Sequence, residues 1–156
     1  MRRSEREIKD RQVLLNILET AQVMHLGLCA AGQAYVVPLH YGWDEQEGKL
    51  FLYFHSAPEG KKIDYIRENP SCFVCITGNM QVKQADETCD WSAAFESLMI
   101  EGTVSILSDE ADKAKGLDAI LRHYDFQGKP IYKDSSLQNT SVCRILVTSI
   151  SGKRRQ

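Results

Sequence analysis

Between residues 23 and 55 three β-type runs follow one another with short connections, and that spacing constrains the fold more than any other feature of the chain. Residues 23–30 are a short apolar run ending at Ala31-Gly32, residues 34–41 are rich in β-formers, and residues 50–55 follow a polar stretch, 44–48, that reads as a turn. Parallel neighbours need a crossover of about a dozen residues or more, so these runs predict an antiparallel meander. Three further strand-like runs lie at 72–77, 95–107 and 142–150, with Gly102 a predicted bulge or bend.

Helical periodicity interrupts this pattern in three places. Asp10 can cap a helix in which Val13, Leu14, Ile17, Leu18 and Ala21 recur at helical spacing. Ser56-Ala57-Pro58-Glu59 reads as a capping box with Ser56 as N-cap, opening a helix with Ile63, Tyr65 and Ile66 on its apolar face and Asn69-Pro70 as its stop. Ser108 or Asp109 starts a third helix through Ala111, Ala114, Leu117, Ile120 and Leu121. Residues 80–90 predict a loop or hairpin extension, and residues 127–141 a loop. Six antiparallel strands with intervening helices in 156 residues predict one mainly β, α+β domain around a small barrel.

Composition narrows the function. A net charge of −2 lacks the positive excess that a general nucleic-acid or anionic-membrane binder needs, and the basic ends Arg2-Arg3 and Lys153-Arg154-Arg155 do not supply it. No apolar run is long enough to cross a bilayer, and the charged start MRRSEREIKDRQ is not followed by the apolar stretch of a secretory signal. No membrane association and a cytoplasmic location are therefore expected. The five cysteines are scattered and read as reduced thiols. Cys72 and Cys75 match C-x-x-C, but within a β-type run residues three apart face opposite ways, so neither a redox pair nor a metal site is expected there. His40 and His55 lack the convergent partners of a metal site, and no metal is predicted. The glycine fingerprints of serine hydrolases, P-loop nucleotidases and Rossmann dehydrogenases are absent from the sequence.

The richest chemistry lies in residues 50–67, LFLYFHSAPEGKKIDYIR. A strand delivers His55 and Ser56 to a helix start, where free backbone N–H groups and the helix dipole favour an anion. Ser56 adds a hydroxyl, Gly60 allows close approach, and Lys61 and Lys62 add positive charge, which together suit a phosphate monoester. An ordinary capped helix with solvated lysines has the same pattern, and these residues alone leave both open. Pro38 cannot donate to a β-ladder, so it marks an edge, a bulge or a barrel mouth.

The N-terminal MRRSEREIKDR with its helix, AYVVPLHYGW, LFLYFHSAPEGKKIDYIRENPSCF, FESLMIEGTVSIL and the final strand ending in SGKRR occur in an order that resembles the flavin-binding split-barrel proteins related to pyridoxamine 5′-phosphate oxidase. Within them the chain is most similar to the nitroimidazole-resistance branch. The resemblance covers nearly the whole chain and is most specific at FHSAPEGKKID. It implies a six-stranded antiparallel split barrel with flanking helices, a homodimer, and FMN bound at the dimer interface.

It further implies that Pro38, Leu39 and His40 lie along the flavin ring, with His55, Ser56 and Ala57 beside the ring and ribityl chain. Lys61 and Lys62 match positions that neutralise the phosphate. Ser97 matches the serine of a phosphate-contacting Tyr-x-Ser-Val motif, although the motif here is Phe95-Glu96-Ser97-Leu98. Trp91 is placed at the partner subunit's site, and His55 at a catalytic position. The implied function is an FMN-dependent oxidoreductase passing electrons from a reduced nicotinamide or other donor to a small acceptor such as a nitroaromatic. The alternative is a non-catalytic flavin or haem carrier or sensor on the same fold.

Overall fold

A computed structural model describes residues 3–155, so Arg2 of the basic N-terminal pair lies outside the described residues. In chain order the elements are β1 (Glu7–Ile8), α1 (Arg11–Thr20), β2 (Met24–Ala30), β3 (Gln33–Leu39), β4 (Gly42–Gln46), β5 (Lys49–Ser56), α2 (Lys61–Glu68), β6 (Ser71–Lys83), β7 (Ser92–Ile106), α3 (Glu110–His123), α4 (Asp134–Gln138) and β8 (Ser141–Arg155). All six expected strands are present, joined by two short ones, β1 and β4. They form one antiparallel sheet in the order β3-β2-β6-β7-β8-β5-β4, with β1 added to β8.

The sheet curls but does not close. Its two edges, β3 and β4, are consecutive in the chain, and only His40 and Tyr41 join them. The expected meander is therefore corrected. β2 pairs with β3, and β4 with β5, but β3 and β4 do not pair, and the chain crosses a split between them. This is the split-barrel architecture, and it puts Pro38 on an edge strand, where its missing N–H costs no ladder bond.

Local chemistry accounts for the turns. Ala31-Gly32 and Glu47-Gly48 each place two successive residues at positive φ (47° and 73°, 51° and 75°), the conformation that matches the twist of a tight hairpin. The stretch read as a turn at 44–48 is mostly strand β4, with the turn confined to its last two residues. Its polar sequence, Asp44-Glu45-Gln46, suits an edge strand with one wet face. The β6–β7 hairpin extends to the Lys83–Ser92 pair, with a bulge between Gly78 and Gln81, and a register shift at Gly102 marks the predicted bulge. The loop predicted at 127–141 contains α4.

The interior is filled by Met24, Leu26, Leu52, Phe54, Val74, Ile76, Leu98, Ile100 and Ile145, with Ile17 and Leu18 of α1 and Ile63 and Ile66 of α2 packed against them. A second, smaller cluster joins Ala119 and Ile120 of α3 to Tyr53 and Val142. β5 is thus buried on both faces: Leu52 and Phe54 point to the barrel, and Tyr53 to α3. Gly42 makes this packing possible, because a Cβ there would lie 2.3 Å from the Ala119 backbone. Cys72 and Cys143 are buried in the apolar core, where burial pushes their thiols up to about 11 and about 12, so both are inert. Cys75 is half-buried on the other face of β6 from Cys72, as the strand period requires. No helix among the described residues is long and apolar enough to cross a membrane.

Candidate functional site

A cleft of about 380 Å³ opens where the chain crosses the split, lined by Val23, Pro38, Leu39, His40 and His55. The fold itself brings these residues together. Pro38, Leu39 and His40 end edge strand β3, His55 is the penultimate residue of β5, and Val23 precedes β2. The β2–β3 ladder stops at the Met24–Leu39 pair, so Val23 and His40 project just beyond it. Larger surface hollows elsewhere, such as one bounded by Glu5, Glu7, Asp10, Arg154 and Arg155, are lined by mixed charge. The cleft has no carboxylate in its lining, only two imidazoles among apolar walls.

The helix start beside the cleft differs from the capping box expected at Ser56. Ser56 remains in the β-ladder, paired with Ser141, and α2 begins only at Lys61. The N-cap is Gly60, at φ 124°, and no side chain accepts from the first-turn N–H groups. The four-residue spacing that looked like a capping box falls instead on a strand end and a short loop, because pairing with β8 outcompetes the local cap. The outcome is a more open helix start than the sequence implied: free N–H groups, no cap oxygen and no Cβ at Gly60.

Lys61 and Lys62 splay to either side of this start. The Lys61 ammonium lies 4.9 Å from the ring centre of Tyr35 on β3 and 5.3 Å from that of Tyr65. The Lys62 ammonium lies 5.6 Å from the ring centre of Phe54, the residue before His55. Burial lowers the Lys62 pKa. Burial also lowers the His55 pKa, with the positive charge of Lys62 and then His40 adding to the effect, so His55 is mainly neutral at pH 7. With no carboxylate in the lining to offset it, the Lys62 ammonium makes the field at the cleft positive.

The far end of α2 is pinned as its start is open. Glu68 accepts from the Ala31 N–H at 2.7 Å, and the Asn69 side chain donates to the Cys29 carbonyl at 2.9 Å. The helix is therefore locked to the tip of the β2–β3 hairpin, which fixes where its N-terminus points.

Ser97 and Trp91 are not brought to the cleft. Ser97 pairs with Thr77 and Lys153 on β7, and β2 and β6 stand between it and β3, a width of about 14 Å of sheet. Trp91 sits at the end of the β6–β7 hairpin and donates to the Ala85 carbonyl at 2.8 Å. The acidic residue of the altered motif, Glu96, is held by Arg154 at 2.6 Å. Sequence reasoning missed Val23 in the lining and Tyr124, whose ring packs edge-on against His40 at 5.3 Å. Tyr124 had no local signal, since 84 residues of chain separate it from His40 and only the packing of α3 unites them.

Comparison with known proteins gives one family. The family model for pyridoxamine 5′-phosphate oxidase matches residues 10–154. A Bacteroides thetaiotaomicron protein named as a candidate 5-nitroimidazole antibiotic resistance protein shares 30% identity, with a TM-score of 0.83 over 95% of this chain and 86% of that one. Two more distant structures share the fold. A flavocytochrome from Azotobacter vinelandii is 21% identical, with a TM-score of 0.80 over 100% of this chain and 72% of its own. An FAD- and haem-binding protein from Mycobacterium smegmatis is 18% identical, with a TM-score of 0.83 over 97% and 74%. No curated protein sequence matches the chain.

Proposed function

The chain belongs to the pyridoxamine 5′-phosphate oxidase family, and from that premise we propose that it is an FMN-binding flavoprotein and an oxidoreductase, built as a single flavin-binding domain. The observation that carries this reading is the meeting of a carboxylate-free cleft with an uncapped helix start bearing two lysines. FMN combines a flat, largely apolar ring with a dianionic phosphate, and these are the two environments that lie side by side here. Pro38, Leu39 and His40 would line the ring, and Ser56 and Ala57 would adjoin the ribityl chain. The open N–H groups behind Gly60, with Lys61 and Lys62, would hold the phosphate.

A bound flavin supplies the electron-transfer chemistry. The chain's own residues bind and orient it, keep acidic groups away, and place His55 at the mouth. The neutral imidazole of His55 can accept a proton or a hydrogen bond from a substrate and pass the proton on. Electrons would come from a reduced nicotinamide or another small donor and leave to a small planar acceptor, nitroaromatics included.

The working unit of this reading is a homodimer with FMN at the interface. Exposed apolar side chains on the outer sheet face support it: Val36 and Phe73 lie in one cross-strand row and Pro38 and Met99 in the next, interrupted there by His25, and the rows reach the cleft at Pro38. In such a dimer Trp91 would reach the site of the partner subunit, and Ser97 keeps its proposed role as a phosphate contact.

The test is the visible spectrum of the purified protein before and after incubation with FMN and dialysis. Retained flavin bands support the proposal, and a protein that keeps no added FMN refutes it. In the flavin-loaded protein, His55→Ala is expected to keep the flavin and lose about a hundredfold in turnover. Unchanged turnover removes the catalytic role of His55. A second reading, haem carriage on the same barrel, is favoured by the two imidazoles of His40 and His55 in one cleft and by the names of the two distant neighbours, a flavocytochrome and an FAD- and haem-binding protein. A Soret band in the same spectrum would decide for it.

A further inference from the structure

We propose that Tyr124 is a positioning residue for the cleft, holding the frayed ends of β2 and β3 where no ladder bond reaches them; this assignment rests on the flavin reading above. The ladder between these strands ends at Met24–Leu39. The next residues on each, Val23 and His40, both line the cleft. Beyond the last rung an edge-strand end has only side-chain contacts to hold it, and His40 is exposed.

Tyr124 reaches both ends. Its hydroxyl donates to the carbonyl of Gln22, the residue before Val23. Its ring meets the His40 imidazole edge-on, with centres 5.3 Å apart and planes at 68°. Tyr124 is itself held in place. It is the C-cap of α3, its ring packs at 5.0 Å against His123, and His123 donates through Nε2 to the Ala21 carbonyl at 2.8 Å. The Tyr41 hydroxyl donates to the carbonyls of Leu18 and Ala21 at 2.7 and 2.9 Å. The Ala21 carbonyl at the C-cap of α1 thus anchors both the last turn of α3 and the crossing between β3 and β4.

Of these anchoring side chains, Tyr124 packs its ring on a cleft residue, His40. It therefore converts the docking of α3 on β4 and β5, and its bond to the end of α1, into a fixed position for the His40 ring and the Val23 side chain. A flat ligand in this cleft gains from walls that are already in place before it binds.

The test uses three variants and two readouts. Tyr124→Leu removes both contacts, Tyr124→Phe keeps the ring and loses the hydroxyl, and Tyr132→Phe is the control. Tyr132, in the segment after α3, donates to Asp118 of that helix at 2.7 Å and does not line the cleft, so this change loosens α3 away from the walls. The first readout is NMR of the flavin-free protein. Tyr124→Leu is expected to move the His40 ring resonances and the Val23 methyl resonances. Tyr124→Phe is expected to move the Val23 signals alone, and Tyr132→Phe neither. The second readout is FMN affinity, with Kd rising about tenfold for Tyr124→Leu, about threefold for Tyr124→Phe and not at all for Tyr132→Phe. His40 signals that stay put in Tyr124→Leu, or an equal loss of affinity in Tyr132→Phe, would overturn the proposal. If the wild-type protein binds no FMN, the flavin reading falls, while the His40 and Val23 signals still decide whether Tyr124 holds the cleft walls.

Discussion

The three longest helices of this molecule, α1, α2 and α3, begin at comparable places, a few residues after a strand, yet they begin differently. Asp10 accepts from the Gln12 N–H at 2.8 Å at the start of α1, and Asp109 accepts from the Asp112 N–H at 3.0 Å at the start of α3. The start of α2 has Gly60 and no cap. A carboxylate cap satisfies N–H groups and complements the dipole, so it stabilises the helix and fills the position an anion would take. At α2 that position is open, two lysines follow, and the burden of stability is moved to the C-terminal end, where Glu68 and Asn69 grip the β2–β3 hairpin. The capped starts serve the fold, and the open one is free to serve a ligand.

The strongest way to break this comparison is to reverse the charge at the open start. Lys61→Glu combined with Lys62→Glu is expected to weaken FMN about a hundredfold while leaving riboflavin, which lacks the phosphate, within a factor of about two. Titration of flavin fluorescence measures both. Equal loss for the two ligands would mean that the lysines shape the cleft and do not read a phosphate.

A smaller effect separates the two kinds of helix start by stability. At Gly60 a Cβ would meet nothing within 4 Å, but the φ of 124° is a conformation that side-chain-bearing residues rarely adopt. Gly60→Ala is therefore a test of backbone strain alone, expected to cost about 2 kcal/mol in urea unfolding and to weaken FMN as the N–H groups turn away. Asp109→Ala removes a cap instead and is expected to cost about 1 kcal/mol with no change in FMN affinity. If Asp109→Ala also weakened FMN, α3 and the cleft would be coupled more tightly than by Tyr124 alone.

What was legible in the sequence follows from the range of the forces involved. α1 and α3 were readable because their caps lie within three residues of the groups they satisfy, and the six main strands because each is a run of apolar or β-forming residues set off from its neighbours by polar or turn-forming ones. The start of α2 was misread for the same reason in reverse. Ser56 and Glu59 have the spacing of a local cap, but Ser141, 85 residues further on, claims Ser56 for the sheet. β4 was missed because an edge strand buries little and carries polar residues. In the candidate site, Pro38, Leu39, His40 and His55 line one cleft, with Lys61 and Lys62 at the helix start beside it, because one strand end and one strand–helix junction carry them. Val23 and Tyr124 depend on which strand end meets which helix, and no short-range pattern encodes that.

The smallest predicted effect tests whether the open start is felt by the cleft. In the free protein, burial, Lys62 and His40 lower the His55 pKa below its ordinary 6.5. The unfolded chain therefore takes up a proton at His55 before the folded one does, and stability drawn from this group is complete above pH 6.5 and declines as pH falls below it. A phosphate at the α2 start offsets the charge of Lys62, so FMN raises the His55 pKa, and by linkage His55 protonation tightens FMN. The phosphate's own second proton, with a pKa near 6, acts the other way by removing negative charge. The two slopes are separated by His55→Ala, which keeps the phosphate's titration and deletes the imidazole's. Relative to that variant, wild-type affinity for FMN is expected to rise about threefold between pH 7.5 and 6. Parallel curves for the two proteins would mean that His55 and the phosphate do not sense each other, and the open helix start would then be a separate site from the cleft.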